Sequence, residues 1–455
     1  MPQNHQGSPL LACPDEVLLL IIRQLTPHDL STICRVSKEL RRVAEPSLYA
    51  EIRLDWDPSL RHPIGPLLRT VVHRPELARA THRVILSKSF EWSSYRAQTL
   101  KILVSTVDLE APVSFVASAP VSHRNVWLEA LRDGAVDAFV AVFLCHTPNL
   151  THLVIEGEYF RESRFLGFVL RSAIGRSPES GLRVGFEHLE SVKLEPSYDI
   201  YRARNNTADV LPVFYLPSIR HIYAAIDNPA SFAWPLSGEP PSPPHLQSLD
   251  LRYIREPFLG PLLSVAAHLR SLHWQWLYTP DIQDEFHTPS IDLTQVAAAL
   301  LNVGDILEDL TLTAIGDTGG DPDYPTLTMR GSLRPLSRFG RLKRLAVPFA
   351  LLMGFVRDFS QRLQDFLPSS LEYLCITDHL YVYDQYEWED DDILFFIQPW
   401  LETYQASTPH LRGVTLFFVE LSGYNQNCKN EFLRLCARVG VPGKITDQLA
   451  DVHVF

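Results

Sequence analysis

"HLQSLDLRY" (245–253) carries Leu246, Leu249 and Leu251 in the order apolar, two others, apolar, any, apolar. Its last step has a period of two, which is that of a strand, because successive side chains of an extended chain point to opposite faces. The phrase recurs along the chain. Upstream stand "NLTHLVIEG" (149–157), "HLESVKLEP" (188–196) and "SIRHIYAAI" (218–226). Downstream stand "HLRSLHWQW" (268–276), "ILEDLTLTA" (306–314), "RLKRLAVPF" (341–349), "SLEYLCITD" (370–378) and "HLRGVTLFF" (410–418). A degenerate copy, "ELARATHRVILSK" (76–88) with Val84 and Leu86, precedes them.

Helical stripes fill the gaps: "VDAFVAVFLCH" (136–146), "FLGPLLSVAAHL" (258–269), "LTQVAAALLNVGDIL" (293–307) and "ILFFIQPWLETY" (393–404). Single strands alternating with helices imply parallel neighbours joined by right-handed crossovers. Units repeated at 23 to 40 residues bury a continuous core, each against its neighbours. The pattern resembles an irregular leucine-rich-repeat solenoid, and the expected fold class is α/β with a curved parallel sheet. Regular leucine-rich repeats place Asn or Cys three residues after the last strand Leu. Here those positions hold Glu158, Ser197, Asp227, Ile254, Leu277, Ile315, Ala350, His379 and Val419, so less uniform coils and larger insertions are expected. The competing arrangement is an ordinary doubly wound α/β domain.

Composition agrees with a folded chain. Of 455 residues 46% are apolar and 21% charged, and 34 prolines punctuate many short elements. Acidic residues outnumber basic ones 53 to 41, which argues against a nucleic-acid partner. No stretch approaches the ~20 apolar residues of a membrane span, so no membrane partner is expected. Cys13, Cys34, Cys145, Cys375, Cys428 and Cys436 are scattered without a CxxC or zinc spacing and are expected as free thiols. Residues 1–9 lack the build of a secretory signal, and the expected location is cytoplasmic or nuclear.

The N-terminal region poses a separate problem. In "PDEVLLLIIRQLTPHDL" (14–30) the residues Val17 to Ile22 are apolar without a break, so they go right round a helix. Such a helix must be covered on all sides. Pro14, Asp15 and Glu16 mark its start, and Thr26-Pro27-His28-Asp29 restarts a second helix with Thr26 as N-cap. A third amphipathic helix carries Val36, Leu40 and Val43. Three helices in about 40 residues cannot cover the first one alone. The cover comes from the rest of the chain or from another protein.

The same residues carry a resemblance. "CPDEVLLLIIRQLTPHDLSTICRVSKELRRVAEPSLY" (13–49) resembles an F-box through Pro14, Asp15, Glu16, Val17, Ile21, Leu25, Pro27, Asp29, Leu30, Val36, Ser37 and Lys38. The trailing "AEPSLYAEIRL" (44–54) is similar to the end of F-boxes in many fungal proteins, while Cys13 stands where the family has Leu. The resemblance implies that this surface binds the Skp adaptor, and through it a cullin, with Pro14, Leu18, Ile21, Leu25, Leu30 and Val36 as contacts. Some of these must pack the F-box itself. The domain expectation is a disordered 1–10, an all-α F-box over 11–54, a helical linker over 55–80 and the solenoid over 81–455.

On the strands, residues between the core positions would face an open concave surface: Glu156, Lys193, Glu195, Asp250, Arg252, His273, Gln275, Thr311, Thr313, Thr377 and Thr415. Mixed in charge, that face suits an unidentified protein target. Two acidic stretches, "GDTGGDPDYP" (316–325) and "YDQYEWEDDD" (383–392), lack the spacing of a calcium loop and are expected as exposed insertions, as is the Pro-rich "SGEPPSPPH" (237–245). No catalytic motif occurs, and neither metal nor cofactor is expected. By the resemblance the chain is a non-enzymatic substrate receptor of a Skp–cullin–F-box ubiquitin ligase; the alternative is a non-degradative scaffold using the same repeats.

Overall fold

Every copy of the phrase is a strand. The computed structural model describes residues 13–56, 62–88, 101–104, 108–121, 123–161, 164–174, 182, 185–196, 206–236, 239–280, 282, 284–316, 326–381, 383, 386–419 and 425–448. Residues 1–10 and most of "GDTGGDPDYP" lie outside these. The chain divides into two compact units, residues 1–199 with 208–219 and residues 200–207 with 220–455.

The first unit opens with three short helices, α1 (Asp15–Ile22), α2 (Pro27–Ile33) and α3 (Lys38–Ala50). Pro27 occupies the first turn of α2, where its missing N–H has no partner to lose. The oxygen of Thr26 accepts from Asp29 N, and that of Ser37 from Leu40 N, so α2 and α3 each have a side-chain N-cap. Strand β1 (Glu51–Trp56) follows α3 directly, so the sheet starts inside the segment expected to be all helical. After it come α4 (Ile64–His73), α5 (Pro75–Ala80) and β2 (Arg83–Lys88).

Helices α6 (Glu110–Ser118), α7 (Arg124–Arg132) and α8 (Val136–Cys145) lead to β3 (His152–Gly157). Then α9 (Glu158–Arg161) and α10 (Arg164–Ala173) lead to β4 (Ser191–Pro196). The strands pair in parallel in the order β1-β2-β3-β4. Phrase positions meet in register: Val84 opposes Leu153, which opposes Val192, and Leu86 opposes Ile155, which opposes Leu194. All of these are buried.

In the second unit the strands are β5 (His221–Ala225), β6 (Ser248–Arg252), β7 (Ser271–Tyr278), β8 (Ser290–Asp292), β9 (Asp309–Gly316), β10 (Thr328–Arg330), β11 (Arg344–Pro348), β12 (Tyr373–Thr377), β13 (Gly413–Phe417) and β14 (Gly443–Thr446). The order is β5-β6-β7-β9-β11-β12-β13-β14, all parallel, with β8 and β10 paired apart. Such sequential order, each strand beside its predecessor, is that of stacked repeats rather than of a doubly wound sheet. Leu249, Leu272 and Leu310 align, then Leu345, Leu374 and Val414.

Entry into the strands repeats as well. Before several strands the preceding residue's carbonyl accepts two N–H groups from the next coil: Gln247 O from Arg270 and Ser271, Arg270 O from Glu308 and Asp309, Glu308 O from Lys343 and Arg344. Coil exits are less regular. Asn228 Oδ1 accepts from Arg255 N (2.8 Å), Asp378 Oδ1 from Val419 N (2.9 Å) and Asn206 Oδ1 from Asp227 N (2.9 Å). Turn amides are thus met by Asn and Asp from shifting positions, which is why no fixed Asn column exists in the sequence.

Two expectations change. "YDQYEWEDDD" is not a plain exposed insertion: Tyr383 and Trp388 are buried, and a helix, Asp390–Glu402, starts within it on a Glu389/Asp392 capping box. The short β14 and the β8/β10 pair carry no copy of the phrase. Among the described residues no disulfide joins the cysteines, and no helix is long and apolar enough to cross a membrane.

Candidate functional site: a helical apolar stripe and a sheet-face cavity

Two surfaces carry the residues singled out by sequence. The first belongs to α1–α3. Leu18, Ile22, Leu30, Cys34, Val43 and Ala44 form a buried cluster, with Cys13, Leu19, Leu25, Ile33 and Leu48 half-buried around it. Leu18 and Leu30 therefore face inward, and Leu25 lies at the margin. The rest of α1 is not covered. Val17 is 42%, Leu20 63% and Ile21 43% exposed, and Val36, just before α3, is 67% exposed; Pro14 is exposed too. Val17, Leu20 and Ile21 stand three and four residues apart and share one face of the helix. Charge frames that face lightly: Arg42 holds Asp15 at 2.7 Å, and both side chains are about half exposed.

The unit keeps the helices in place by a second contact. Arg74, at the start of α5, grips Glu45 of α3 with two hydrogen bonds of 2.6 and 2.8 Å. This pairing, with Glu76 also on Arg74, holds the guanidinium pKa above its usual value. The amide of His82 donates to Ala50 O at the end of α3. The exposed stripe thus stands on a supported frame.

The second surface is the sheet face in the second unit. Successive rows cross the strands: Ser248, Ser271, Asp309 and Arg344; then Tyr223, Asp250, His273, Thr311, Ala346 and Cys375; then Arg252 and Gln275, with Thr313 beside Gln275. Small side chains in the middle (Ser248, Ser271, Thr311, Ala346), ringed by Tyr223, Arg252, His273 and Arg344, leave a cavity of about 330 Å³. The ring is tied together. The Arg252 guanidinium lies 4.5 Å over the Tyr223 ring and its Nε donates to Asp250 at 3.3 Å. The other Asp250 oxygen meets His273 Nδ1 at 2.8 Å, and His273 Nε2 meets the Thr313 hydroxyl at 3.0 Å. Burial acts against the Asp250 carboxylate, but the His273 hydrogen bond and the charges of His273 and Arg252 win and hold its pKa below the usual range. On the far side Arg344 forks onto Asp309.

Of the expected face residues, Asp250, His273 and Thr311 line this cavity together with Arg252. His273, Gln275, Thr313, Thr377 and Thr415 are buried rather than open, because neighbouring rows shade short side chains on a twisted parallel sheet. Glu156, Lys193 and Glu195 belong to the first unit, where Lys193 bridges Glu156 (2.6 Å) and Glu195 (2.8 Å). Sequence reading missed Tyr223, Ser248, Ser271, Asp309, Arg344 and Ala346. The signal was available: Ser248, Ser271, Asp309 and Arg344 extend the same alternation one step earlier in their phrases, and Tyr223 and Ala346 stand between the core positions of theirs.

The Asp250–His273–Thr313 chain has the hydrogen-bond order of a nucleophile relay, but Thr313 is 2% exposed and gives no oxygen to the cavity. Among the described residues no group of three or more His, Cys, Asp or Glu side chains is placed to hold a metal ion.

The arrangement is therefore three N-terminal helices with an exposed apolar stripe, followed by parallel strands and helices whose sheet face in the second unit holds a polar cavity. Comparison with known families adds one match: residues 12–55 fit the family model of F-box-like domains. No curated protein matches the chain.

Proposed function

We propose that the chain is the substrate-recognition subunit of a Skp–cullin–F-box ubiquitin ligase. The F-box-like segment binds the Skp adaptor, and the parallel repeats bind a protein target through the sheet face around Asp250, Arg252, His273 and Arg344. The observation that carries this reading is the exposed stripe Val17, Leu20 and Ile21 on α1, with Val36 exposed as well, within the F-box-like match. Large apolar side chains held in a row at the surface mark a contact with another protein. Of the six expected adaptor contacts, Pro14, Ile21 and Val36 are the outward ones, Leu25 is at the rim, and Leu18 and Leu30 hold the frame from inside. Such a subunit performs no chemistry; it raises the concentration of its target near the conjugating enzyme.

The test is co-expression with a Skp adaptor and co-purification of wild type and a Leu20→Asp/Ile21→Asp variant. Both positions are exposed, so the variant folds, and burying two uncompensated charges against the adaptor costs several kcal/mol. Wild type carrying adaptor and the folded variant lacking it is the expected result. Absence of adaptor from wild type rejects the reading.

A further inference from the structure

Loop 354–360 and the helix Asp390–Glu402 build a third surface, distinct from the α1 stripe and the sheet-face cavity. Its base is buried and aromatic. Trp388 stands edge-on to Phe349 (ring centroids 5.2 Å) and to Phe396 (5.3 Å), and its Nε1 donates to Gly354 O at 2.7 Å. Over this base lies Phe359, stacked on Phe396 at 5.9 Å, with Phe395 edge-on to Phe359 at 5.2 Å and to Phe396 at 5.5 Å. Phe359 is 52%, Phe395 55% and Val356 60% exposed. The two outer rings are fixed by their neighbours, so they present apolar area with little freedom left to lose on binding.

The rim is acidic. Glu387, Glu389 and Asp392 surround one guanidinium, Arg357, which bonds Glu389 (2.8 Å) and Asp392 (2.9 Å) and donates to the Glu387 carbonyl (2.6 Å). Beside Phe359, hydrogen bonds from Ser360 and Gln361 hold the Asp358 carboxyl below its usual pKa. Arg362 is occupied by Asp365 at 3.0 Å. More carboxylates than guanidiniums leave a negative field around an apolar centre.

We propose that this patch docks a basic segment of a partner protein that presents an apolar anchor (Leu, Phe or Trp) between flanking Lys or Arg. The anchor seats on Phe359 and Phe395, and the flanking cations meet the rim carboxylates of Glu387, Glu389 and Asp392. A second copy of this chain is a poor occupant, because apposing the patch to itself sets acidic rim against acidic rim. An anionic lipid surface is repelled for the same reason.

The probe is an array of immobilised octapeptides offered to the purified full chain. One set is Lys/Arg-rich with a central Leu, Phe or Trp, one has the same flanks with central Ser, and one has Asp/Glu flanks around the apolar centre. Retention by the first set alone is expected, and Phe395→Ser or Phe359→Ser weakens it about tenfold or more. Phe395 is an exposed helix residue, so its variant stays folded even if the loop variant does not. Adaptor co-purification is measured on the same variants and stays intact, which separates this surface from the F-box reading. Equal retention by peptides with central Ser, no retention of the first set, or unchanged retention by Phe395→Ser overturns the proposal. A concentration-dependent dimer abolished by Phe395→Ser replaces the partner with a second copy and overturns it too.

Discussion

Two helices of the first unit carry unbroken apolar runs, and they end up in opposite environments. In α8 every residue from Ala138 to Leu144 is buried, under cover from α4, α6, α7 and α10. In α1 the run Val17–Ile22 is as apolar, yet only Leu18 and Ile22 are buried. The difference lies not in the helices but in what the chain places around them. Apolarity all round a helix states a demand for cover; tertiary structure meets that demand for α8 and meets half of it for α1. The unmet half is the surface that the proposed adaptor would cover.

The largest break in this comparison is a charge on each helix. Phe143 is fully buried, so Phe143→Asp puts an unpaired carboxylate in the core and costs several kcal/mol. The expected outcome is loss of the cooperative unfolding transition of the first unit in a denaturant titration. Leu20→Asp on α1 leaves that transition within about 0.5 kcal/mol, as for an ordinary surface change. Similar losses at both sites would show that α1 is packed, and the stripe would then not be an interface.

A second test stays within α1. Leu18→Ala removes buried side chain from the small cluster and is expected to cost roughly 2–5 kcal/mol, whereas Leu20→Ala costs little. Urea midpoints of the two variants measure it. Equal midpoints would mean that the two faces of α1 are alike.

Acid sharpens the contrast further. His62 accepts from Ile64 N (3.2 Å) at the start of α4, part of the cover over α8, and its Nε2 meets the Tyr159 hydroxyl. Burial pushes its pKa down to about 4. An unfolded chain binds that proton near pH 6.5, so the folded state is fully stabilised above that pH and loses stability as pH falls towards about 4. The loss is on the order of 3 kcal/mol across the window. His287 in the second unit, also pushed to about 4 by burial and the Arg255 charge, behaves alike there. Thermal unfolding from pH 7 to pH 4 should show the decline, and His62→Gln should flatten it in the first unit. An unchanged slope in that variant would locate the acid sensitivity elsewhere.

Much of this architecture was legible in the sequence because one short-range rule governs it. Alternation in "SLDLR" or "SVKLE" fixes both strand and buried face, and parallel stacking then follows from the helices between. What escaped the rule had no period to read. β14 is four residues with Gly443 at its start, and β1 hides behind the third helix. The cavity escaped for a different reason. It is defined by what is small, Ser248, Ser271, Thr311 and Ala346, and a depression exists only once strands from distant parts of the chain are in register. The α1 stripe was visible as a demand for cover, but which side chains remain open, Leu20 and Ile21 rather than Leu18, depends on where α2 and α3 pack.

The smallest expected effect concerns what holds helices whose cover is incomplete. α8 starts at Ala135 without a side-chain cap, while α2 and α3 start at Thr26 and Ser37 with caps of 3.2 and 3.1 Å. A helix buried all round can leave its first amides to the neighbouring structure, because packing dominates its stability. Helices of the N-terminal segment, where one face of α1 stays open, draw less on packing. Each cap should therefore contribute about 1 kcal/mol, with Thr26→Ala and Ser37→Ala both lowering the stability of α1–α3. Amide hydrogen exchange reads this locally: faster exchange across α2 in Thr26→Ala and across α3 in Ser37→Ala, with α8 unchanged, is the expected pattern. If the α8 amides accelerate as much as those of α2, the three helices and the buried helix open as one cooperative block. The distinction between a fully covered helix and helices with one face open would then fail.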